Sequence, residues 1–248
     1  MRDITDKERL YVQNKLLELL VAFRTICEEA GLWYSLAFGT VLGAVRHQGF
    51  IPWDTDADVY IRLEDKEKFR EAFRSLKPKG ITLIDYDRDK KCLQSHDSLV
   101  FENEELVGDI HLDIFPLVGA PSTEEEQVKF AKRAYFMDRI IRSKYVNIND
   151  CRPKNKPAVF LVKCALFFVP DTLLKKNIKY RETKYVYETA EFLMTPCGAS
   201  NGREGVRREV FQSMINAEFC GELFKIPQDA DTYLKKIYGE DYMTPIKW

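Results

Sequence analysis

The sequence predicts a mixed α/β (α+β) fold in which a mixed central sheet is flanked by helices. Three observations support this class. An amphipathic helical pattern occupies the N-terminus, short apolar segments with strand-like alternation follow, and long segments of helical periodicity come after residue 120. Helical and strand-like patterns that alternate along one chain are typical of sheets covered by helices. With 248 residues and 45% hydrophobic content, the chain is long enough to bury one sizeable core.

The first predicted element is a long helix. Thr5 and Glu8 form the pattern of a capping box, in which each side chain satisfies a backbone N–H of the first turn. The helix is expected to end near Gly31, because glycine readily adopts the left-handed conformation found at helix C-termini. Its apolar residues recur at helical spacing and are expected to lie in the core: Val12, Leu16, Leu19, Phe23 and Ile26.

The next segments predict the framework of the sheet. Their patterns indicate a strand, a short helix, a second strand and a charged helix, over 33–37, 40–46, 57–62 and 64–75. Alternation of polar and apolar residues predicts three further strands, over 81–86, 97–102 and 109–115.

The rest of the chain predicts a mostly helical second half. Helices are expected over 123–145 and 158–190, and the stretch 205–248 is expected to mix short helices and loops. We therefore expect a single catalytic domain over 1–248. Its parts are an N-terminal helix, a sheet-containing core and a mostly helical C-terminal part, over 1–31, 32–120 and 121–248.

Composition narrows the class of protein. The formal net charge of −1 gives no global field that favours nucleic acid, so we expect no nucleic-acid partner. The six cysteines form no Cys-x-x-Cys pair, and together with three scattered histidines they give no zinc-site spacing. The N-terminus lacks the apolar stretch of a signal peptide, so we expect a cytoplasmic protein with reduced thiols.

The most informative motif is Asp54-Thr55-Asp56-Ala57-Asp58, which places carboxylates at alternate positions. Side chains at i and i+2 of an extended strand project from the same face, so Asp56 and Asp58 are expected side by side. Two adjacent carboxylates repel each other unless a cation lies between them, and oxygen ligands suit Mg²⁺. The alternative interpretation is a solvated acidic turn.

The segment before this motif has the features of a phosphate-binding turn. Gly39 permits a sharp turn after the predicted strand, and Thr40 can cap the short helix that follows. Free N–H groups at a helix N-terminus attract phosphate, and Arg46 adds a permanent positive charge. His47, next to Arg46, is a candidate proton carrier. Trp53 can stack on a base or receive a cation, or it can simply pack in the core.

A third carboxylate is expected to complete the site. Asp113 lies in a predicted strand in which Asp109, His111 and Asp113 share one face while the apolar residues share the other. His111 is a second candidate proton carrier. The alternative is an amphipathic strand whose polar face is solvated.

These motifs resemble those of the LicD family. Residues 39–58 (GTVLGAVRHQGFIPWDTDAD) look like its signature, residues 112–117 (LDIFPL) match its second block, and residues 233–243 (YLKKIYGEDYM) are similar to its closing block. The family includes bacterial phosphocholine transferases and is related to fukutin and fukutin-related protein. A strand, a Gly-Thr turn, a helix and a strand bearing Asp-x-Asp is also the layout of the nucleotidyltransferase superfamily, so the resemblance implies a nucleotidyltransferase-like sheet.

The resemblance implies a metal-dependent phosphotransferase. Its donor would be CDP-linked, as in CDP-choline or a CDP-alditol, its acceptor a glycan hydroxyl, and its by-product CMP. Asp56, Asp58 and Asp113 would act in catalysis and hold Mg²⁺, with Mn²⁺ as the alternative ion. Donor and substrate would be bound by Gly39, Thr40, Arg46, His47 and Trp53. The alternatives are a nucleotidyltransferase that transfers NMP to a small molecule or protein, and a non-catalytic binding protein with the same fold.

Two later segments carry further hypotheses. The helix over 129–144 is basic, which indicates either a solvated face or contact with a phosphorylated or lipid-linked acceptor. The run 158–169 is apolar but is interrupted by Lys163 and is too short for the ~20 residues of a membrane span. It is either a buried core helix or an interfacial helix, since lysines flank it on both sides. The interfacial reading predicts a peripheral contact with the inner face of the cytoplasmic membrane, where a lipid-linked acceptor would be met.

Overall fold

The computed structural model describes residues 5–86, 95–102, 110–197 and 203–245. The α-helices are α1 (Asp6–Glu29), α2 (Phe38–His47), α3 (Lys66–Leu76), α4 (Glu124–Tyr145), α5 (Lys156–Leu166), α6 (Asp171–Thr183) and α7 (Ala230–Tyr238). The strands are β1 (Tyr34–Leu36), β2 (Asp58–Arg62), β3 (Ile81–Ile84), β4 (Asp97–Phe101), β5 (His111–Gly119), β6 (Phe192–Met194), β7 (Val206–Arg207), β8 (Met214–Phe219) and β9 (Glu222–Pro227).

The chain divides into two compact units. The first contains residues 1–84, 98–117 and 206–248, and the second contains residues 85–97 and 118–205. The division falls within β5, after Leu117. The predicted mixed α/β class is confirmed, since helices accompany a sheet with both parallel and antiparallel pairs.

The sheet of the first unit has the strand order β1-β2-β5-β4-β3. Its outer pairs, β1–β2 and β3–β4, are antiparallel, whereas the central pair, β2–β5, is parallel. The central strands are apolar where they face the core: Val59, Ile61, Leu112 and Ile114 are at most 2% exposed. The candidate site is built on this central parallel pair.

Helix α1 forms as its sequence predicts. The Thr5 hydroxyl accepts the Glu8 N–H at 3.2 Å, and the Glu8 carboxylate accepts the Thr5 N–H at 2.8 Å, so the capping box is confirmed. The whole predicted apolar stripe, from Val12 to Ile26, is buried. Gly31, which follows the helix, has φ +64°, as expected for a residue that ends it.

Helix α2 begins differently from the prediction. Its N-cap is Ala37, and Thr40 lies inside the helix, so the predicted Thr40 cap is wrong. The unusual dihedral falls on Phe38, with φ +45°, and not on Gly39. The Phe38 N–H donates to the Tyr233 hydroxyl at 2.8 Å, and the Phe38 ring packs edge-on against Tyr60 and Phe115. Tertiary contacts therefore hold a conformation that costs a non-glycine residue free energy.

The C-terminal stretch also differs from the prediction. In place of short helices and loops, residues 214–227 form the antiparallel hairpin β8–β9. Its two-residue turn, Cys220 and Gly221, has φ +54° and +80°, which is the backbone twist that tight hairpins favour. The hairpin was missed because a cysteine is an uncommon residue in such a turn.

The second unit contains α4, α5, α6 and β6. Helix α4 lies where the sequence predicts a helix, over 123–145, and its N-cap is Thr123, whose hydroxyl accepts the Glu126 N–H. The predicted continuous helicity over 158–190 is wrong: α5 ends at Leu166, α6 begins after its N-cap Pro170, and α6 ends at Thr183. Lys163, which interrupts the apolar run, donates to the carbonyls of Lys144 and Val146 at 2.7 and 2.9 Å. It therefore supplies hydrogen bonds to backbone carbonyls at the C-terminal end of α4.

No single helix in the described residues has both the length and the apolar composition that crossing a membrane requires. Two consecutive helical segments, Pro153–Leu166 and Asp171–Thr183, meet that criterion only when taken together, and they are bent by 102° relative to each other.

Candidate active site

Two of the predicted aspartates are direct neighbours in the sheet. Asp58 begins β2 and is paired in register with Asp113 of the parallel strand β5, and the Asp113 N–H donates to the Ala57 carbonyl at 3.1 Å. Side chains at paired positions of adjacent strands project from the same face. The fold therefore brings together two carboxylates that are far apart in the sequence.

The backbone of Asp58 is held on both sides. Its carbonyl accepts the Ala37 N–H at 2.9 Å, and its N–H donates to the Thr40 hydroxyl at 2.9 Å. Thr40 is 5% exposed. Its side chain therefore joins α2 to the first residue of β2 and positions Asp58, whereas direct contact between Thr40 and a phosphate stays a prediction.

Polar side chains of β4 and β5 lie beside the Asp113 carboxylate. The Ser98 hydroxyl on β4 donates to Asp113 Oδ1 at 2.9 Å, and His111 Nε2 lies 3.6 Å from Asp113 Oδ2. The predicted shared face of His111 and Asp113 is confirmed. Asp109 lies outside the described residues. Ser98 orients one carboxylate oxygen, and His111 lies beside the other.

Asp56 does not lie on a strand, because β2 begins two residues later, so the strand alternation from which Asp56 was expected beside Asp58 does not include it. Its nearest carboxyl neighbour is Asp54. Burial, a side-chain hydrogen bond with Asp56 and the Asp56 charge raise the pKa of Asp54 from 3.8 to about 7. The Asp54 backbone carbonyl accepts the Gln13 amide at 2.9 Å. Asp54 therefore keeps its proton to a higher pH than an ordinary aspartate does.

Tyr238, in α7, lies beside this acidic cluster. Partial burial and the charges of Tyr233, Asp58, Asp54 and Asp56 raise the pKa of Tyr238, so the phenol stays protonated and can donate a hydrogen bond.

Gly39 contributes to the cluster through its lack of a side chain. A Cβ there would lie 3.3 Å from Asp54 Oδ2 and 3.9 Å from the Tyr238 hydroxyl. Glycine at this position leaves room for the carboxylate and the phenol to approach the start of α2. This role differs from the predicted sharp turn.

The structure places the other predicted site residues as follows. Arg46 is in the last turn of α2, roughly 9 Å along the helix axis from Thr40. Its guanidinium donates to the Tyr242 carbonyl at 2.6 Å and to His47 Nε2 at 3.0 Å. Burial and the Arg46 charge lower the pKa of His47. Trp53 is half-buried in the turn before Asp54.

The carboxylates form two pairs, Asp58 with Asp113 and Asp54 with Asp56. In the described ranges, no group of three or more His, Cys, Asp and Glu side chains is arranged so that it could hold a metal ion. The donor chemistry nevertheless fits a hard divalent cation, because carboxylate oxygens are its preferred ligands. Burial and the neighbouring Asp56 charge, which raise the pKa of Asp54, both disfavour its ionised form, and a bound cation would offset both effects.

Three residues of this cluster were not among the predicted site residues: Asp54, Ser98 and Tyr238. Asp54 carried a signal, since it is the first of three carboxylates at alternate positions. Tyr238 lies within the closing block, residues 233–243, for which the sequence gave a resemblance but no role in the site. No local sequence pattern distinguishes Ser98, because its role depends on the pairing of β4 with β5.

Comparison with known proteins gives a family match for part of the chain. Residues 31–148 match the model of the LicD/FKTN/FKRP nucleotidyltransferase domain, a range that includes both carboxylate pairs. Over a 254-residue alignment the chain is 24% identical to the lipopolysaccharide cholinephosphotransferase LicD of Haemophilus influenzae. That alignment covers 98% of this chain and 93% of the relative.

Two shorter similarities involve other relatives. The chain is 35% identical over 77 residues to an uncharacterised protein of Rickettsia typhi, which covers 31% of this chain and 24% of that protein. It is 52% identical over 40 residues to the ribitol 5-phosphate transferase FKRP of Homo sapiens, which covers 16% of this chain and 8% of that protein. Over residues 31–148, this chain is therefore similar to the nucleotidyltransferase domain of the LicD/FKTN/FKRP family.

Proposed function

We propose that this protein is a phosphotransferase that moves a phosphate-linked substituent from an activated donor to a sugar hydroxyl of a cell-envelope glycan. The observation that carries the proposal is the pairing of Asp58 with Asp113 within the segment that matches the family domain. Similarity over nearly the full chain to a lipopolysaccharide cholinephosphotransferase supports the reaction class.

We propose a CDP-linked donor, CDP-choline or a CDP-alditol. The acceptor hydroxyl attacks the phosphorus that bears the choline or alditol. A new P–O bond forms to the sugar, the P–O bond to CMP breaks, and CMP leaves with that bond's electron pair. Such reactions depend mainly on positioning and on neutralising charge.

The carboxylates have two roles in this proposal. Asp56, Asp58 and Asp113 are the proposed metal ligands, and Asp54 joins them because it shares the cluster. Bound Mg²⁺ would neutralise charge on the donor phosphates and on the departing CMP. Asp113 is our candidate for the group that takes the acceptor proton, since Ser98 orients its carboxylate and His111 can pass the proton on.

A donor screen tests this proposal. The purified chain is incubated with Mg²⁺, an acceptor glycan and CDP-choline, CDP-ethanolamine, CDP-ribitol or CDP-glycerol, and CMP release is measured together with phosphorus transfer to the glycan. We expect one CDP donor to give both products in equal amounts. Transfer of NMP from nucleoside triphosphates would instead identify a nucleotidyltransferase. No turnover with any donor would contradict an enzymatic role.

We further propose that the protein meets a lipid-linked acceptor at an anionic membrane surface, through the turn between α5 and α6. Phe167 and Phe168 in this turn are 74% and 87% exposed, and Leu161 of α5 is 68% exposed. Helix α5 has no buried residue, which argues against the core-helix interpretation. Exposed Lys154, Lys176 and Lys179 lie on both sides of the turn. Aromatic residues beside lysines suit the interface of an anionic bilayer.

Sedimentation with liposomes tests this contact. We expect binding to anionic vesicles at low salt and weaker binding at high salt or to neutral vesicles. Replacing both phenylalanines, Phe167→Ser and Phe168→Ser, is expected to reduce binding at least ~10-fold, because each buried ring contributes roughly 1.5–3 kcal/mol. The control is Leu223→Ser, which alters an exposed apolar residue of β9. No binding under any condition would contradict the proposal.

A further inference from the structure

The second unit contains a cavity that the proposed chemistry does not use. It has a volume of about 500 Å³ and lies between one face of α4 and one face of α6. Lys129, Phe130 and Arg133 line it at helical spacing from α4, and Tyr180 and Arg181 line it from α6. This volume is within the range of sites for small molecules, about 300–1,000 Å³.

The rim of the cavity is cationic. Lys129, Arg133 and Lys184 are exposed side chains that line it, and Glu126 is the carboxylate among its described lining residues. Lys129 is paired with Glu125 at 2.6 Å. A hydrogen bond with the Tyr185 phenol raises the pKa of Lys184, so its ammonium group stays charged. An excess of positive charge around a concave surface favours an anionic ligand.

Two buried polar atoms of the lining have no hydrogen-bond partner within the described part of the chain. They are Nε of Arg181, a donor, and Oδ1 of Asn177, an acceptor. Arg181 is 4% exposed, and its other nitrogens are held by the Pro196 carbonyl at 2.7 Å and by Asp138. Buried polar groups are nearly always hydrogen-bonded, so each unpaired one requires an explanation. The part of the cavity wall formed by these two residues is therefore polar and incompletely hydrogen-bonded in the described structure.

Aromatic side chains form the remaining walls. Phe136 and Tyr180 are 62% and 58% exposed, which is unusual for rings of this size. Tyr185 and Phe130 also line the cavity and pack edge-on, with ring centroids 5.8 Å apart. Exposed aromatic faces beside hydrogen-bonding groups suit a ligand that has both an apolar face and polar edges. A sugar ring has this combination.

We infer that this cavity binds one anionic sugar residue, carrying a phosphate or a carboxylate group. Its negative group is bound by the cationic rim, its hydroxyls by Asn177, and its ring face by Phe136 and Tyr180. The inference rests on the proposed function in one respect, namely that this sugar belongs to the acceptor glycan. The binding itself does not depend on turnover.

Calorimetric titration of the full chain tests the inference, with glucose 6-phosphate, glucuronate, glucose and inorganic phosphate as probes. We expect the anionic sugars to bind at least ~10-fold more tightly than either glucose or phosphate, and the comparison of glucose 6-phosphate with glucuronate identifies the preferred anion. Equal affinity for all four probes, or no binding of either anionic sugar, would overturn the inference.

Matched variants locate the binding. The double variant Arg133→Gln, Lys184→Gln is expected to weaken binding of glucose 6-phosphate at least ~10-fold. The control, Lys132→Gln with Arg139→Gln, removes the same charge from exposed residues of α4 that do not line the cavity. An equal loss in both double variants would show that only general charge matters and would overturn the inference.

The experiments distinguish failure of the proposed phosphotransferase function from failure of the proposed sugar-binding cavity. Asp58→Asn, which alters the first unit, is expected to abolish transfer and to leave sugar binding unchanged. If CMP release proceeds normally while the cavity variants bind the sugar as well as the wild type does, the inference is wrong and the proposed function stands. If no CDP donor reacts while the cavity variants lose sugar binding, the proposed function is wrong and the anionic-sugar site stands.

Discussion

Replacing Asp58 or Asp113 by asparagine is expected to reduce turnover at least ~100-fold, about 2.7 kcal/mol of transition-state stabilisation. Each change removes one negative charge from the pair that the parallel β2–β5 register creates, with almost no change in side-chain volume. If the pair holds a metal that neutralises developing charge, its loss affects the transition state more than the ground state. The measurement is the initial rate of CMP release at saturating donor.

Glu71→Gln, an exposed carboxylate of α3, is the matched control and is expected to leave the rate unchanged. A second measurement does not depend on activity. Mg²⁺ is expected to raise the Tm of the wild type, because a ligand that binds only the folded state stabilises it. It is expected to leave the Tm of Asp58→Asn unchanged. A variant that keeps more than a tenth of the wild-type rate, or full activity in excess EDTA, would contradict the assignment.

The largest expected effect on stability is a loss as the pH rises from about 4 to about 7. The folded-state pKa of Asp54, about 7, is above its ordinary value of 3.8. The folded chain therefore binds this proton more tightly than the unfolded chain does. The resulting stabilisation is complete below about pH 4 and is lost as the pH rises through 7. The difference between these two pKa values of Asp54 corresponds to at most about 4 kcal/mol of folding free energy.

Asp54→Asn isolates this effect, because an asparagine does not titrate and its oxygen can still accept the Thr55 N–H. Urea unfolding at several pH values is expected to show the wild type losing free energy of unfolding relative to the variant between pH 4 and 8. Asp241→Asn, at an exposed position near the C-terminus, is the control and should follow the wild type. Parallel curves for the wild type and Asp54→Asn would show that Asp54 ionises normally.

Local patterns in the sequence determined the class of fold and most helix starts. The Thr5 capping box, the apolar stripe of α1 and the Thr123 cap of α4 all depend on residues within one or two turns of each other. For that reason they can be predicted without any tertiary contact. The alternation that placed His111 and Asp113 on one face of a strand is local in the same sense.

Elements whose boundaries depend on distant partners were predicted less well. The end of α6 at Thr183 and the β8–β9 hairpin were both missed. Helical periodicity continued past Pro170, which is compatible with the start of a new helix as well as with a break in one. A hairpin's strands are stabilised by pairing and packing, which depend on neighbours more than on intrinsic preference.

The sequence by itself determined that Gly39, Thr40 and the carboxylates of residues 54–58 lie close to the start of a predicted strand. Residue types and their spacing can be read directly from a sequence. Only the tertiary structure decided what each residue does there. The parallel register joins Asp58 to Asp113, Thr40 holds the backbone of Asp58, and Tyr238 adds a protonated phenol. The physical reason is that strand pairing, desolvation and charge crowding each depend on the combined effect of neighbours from distant parts of the chain. A local sequence pattern does not contain that combined effect.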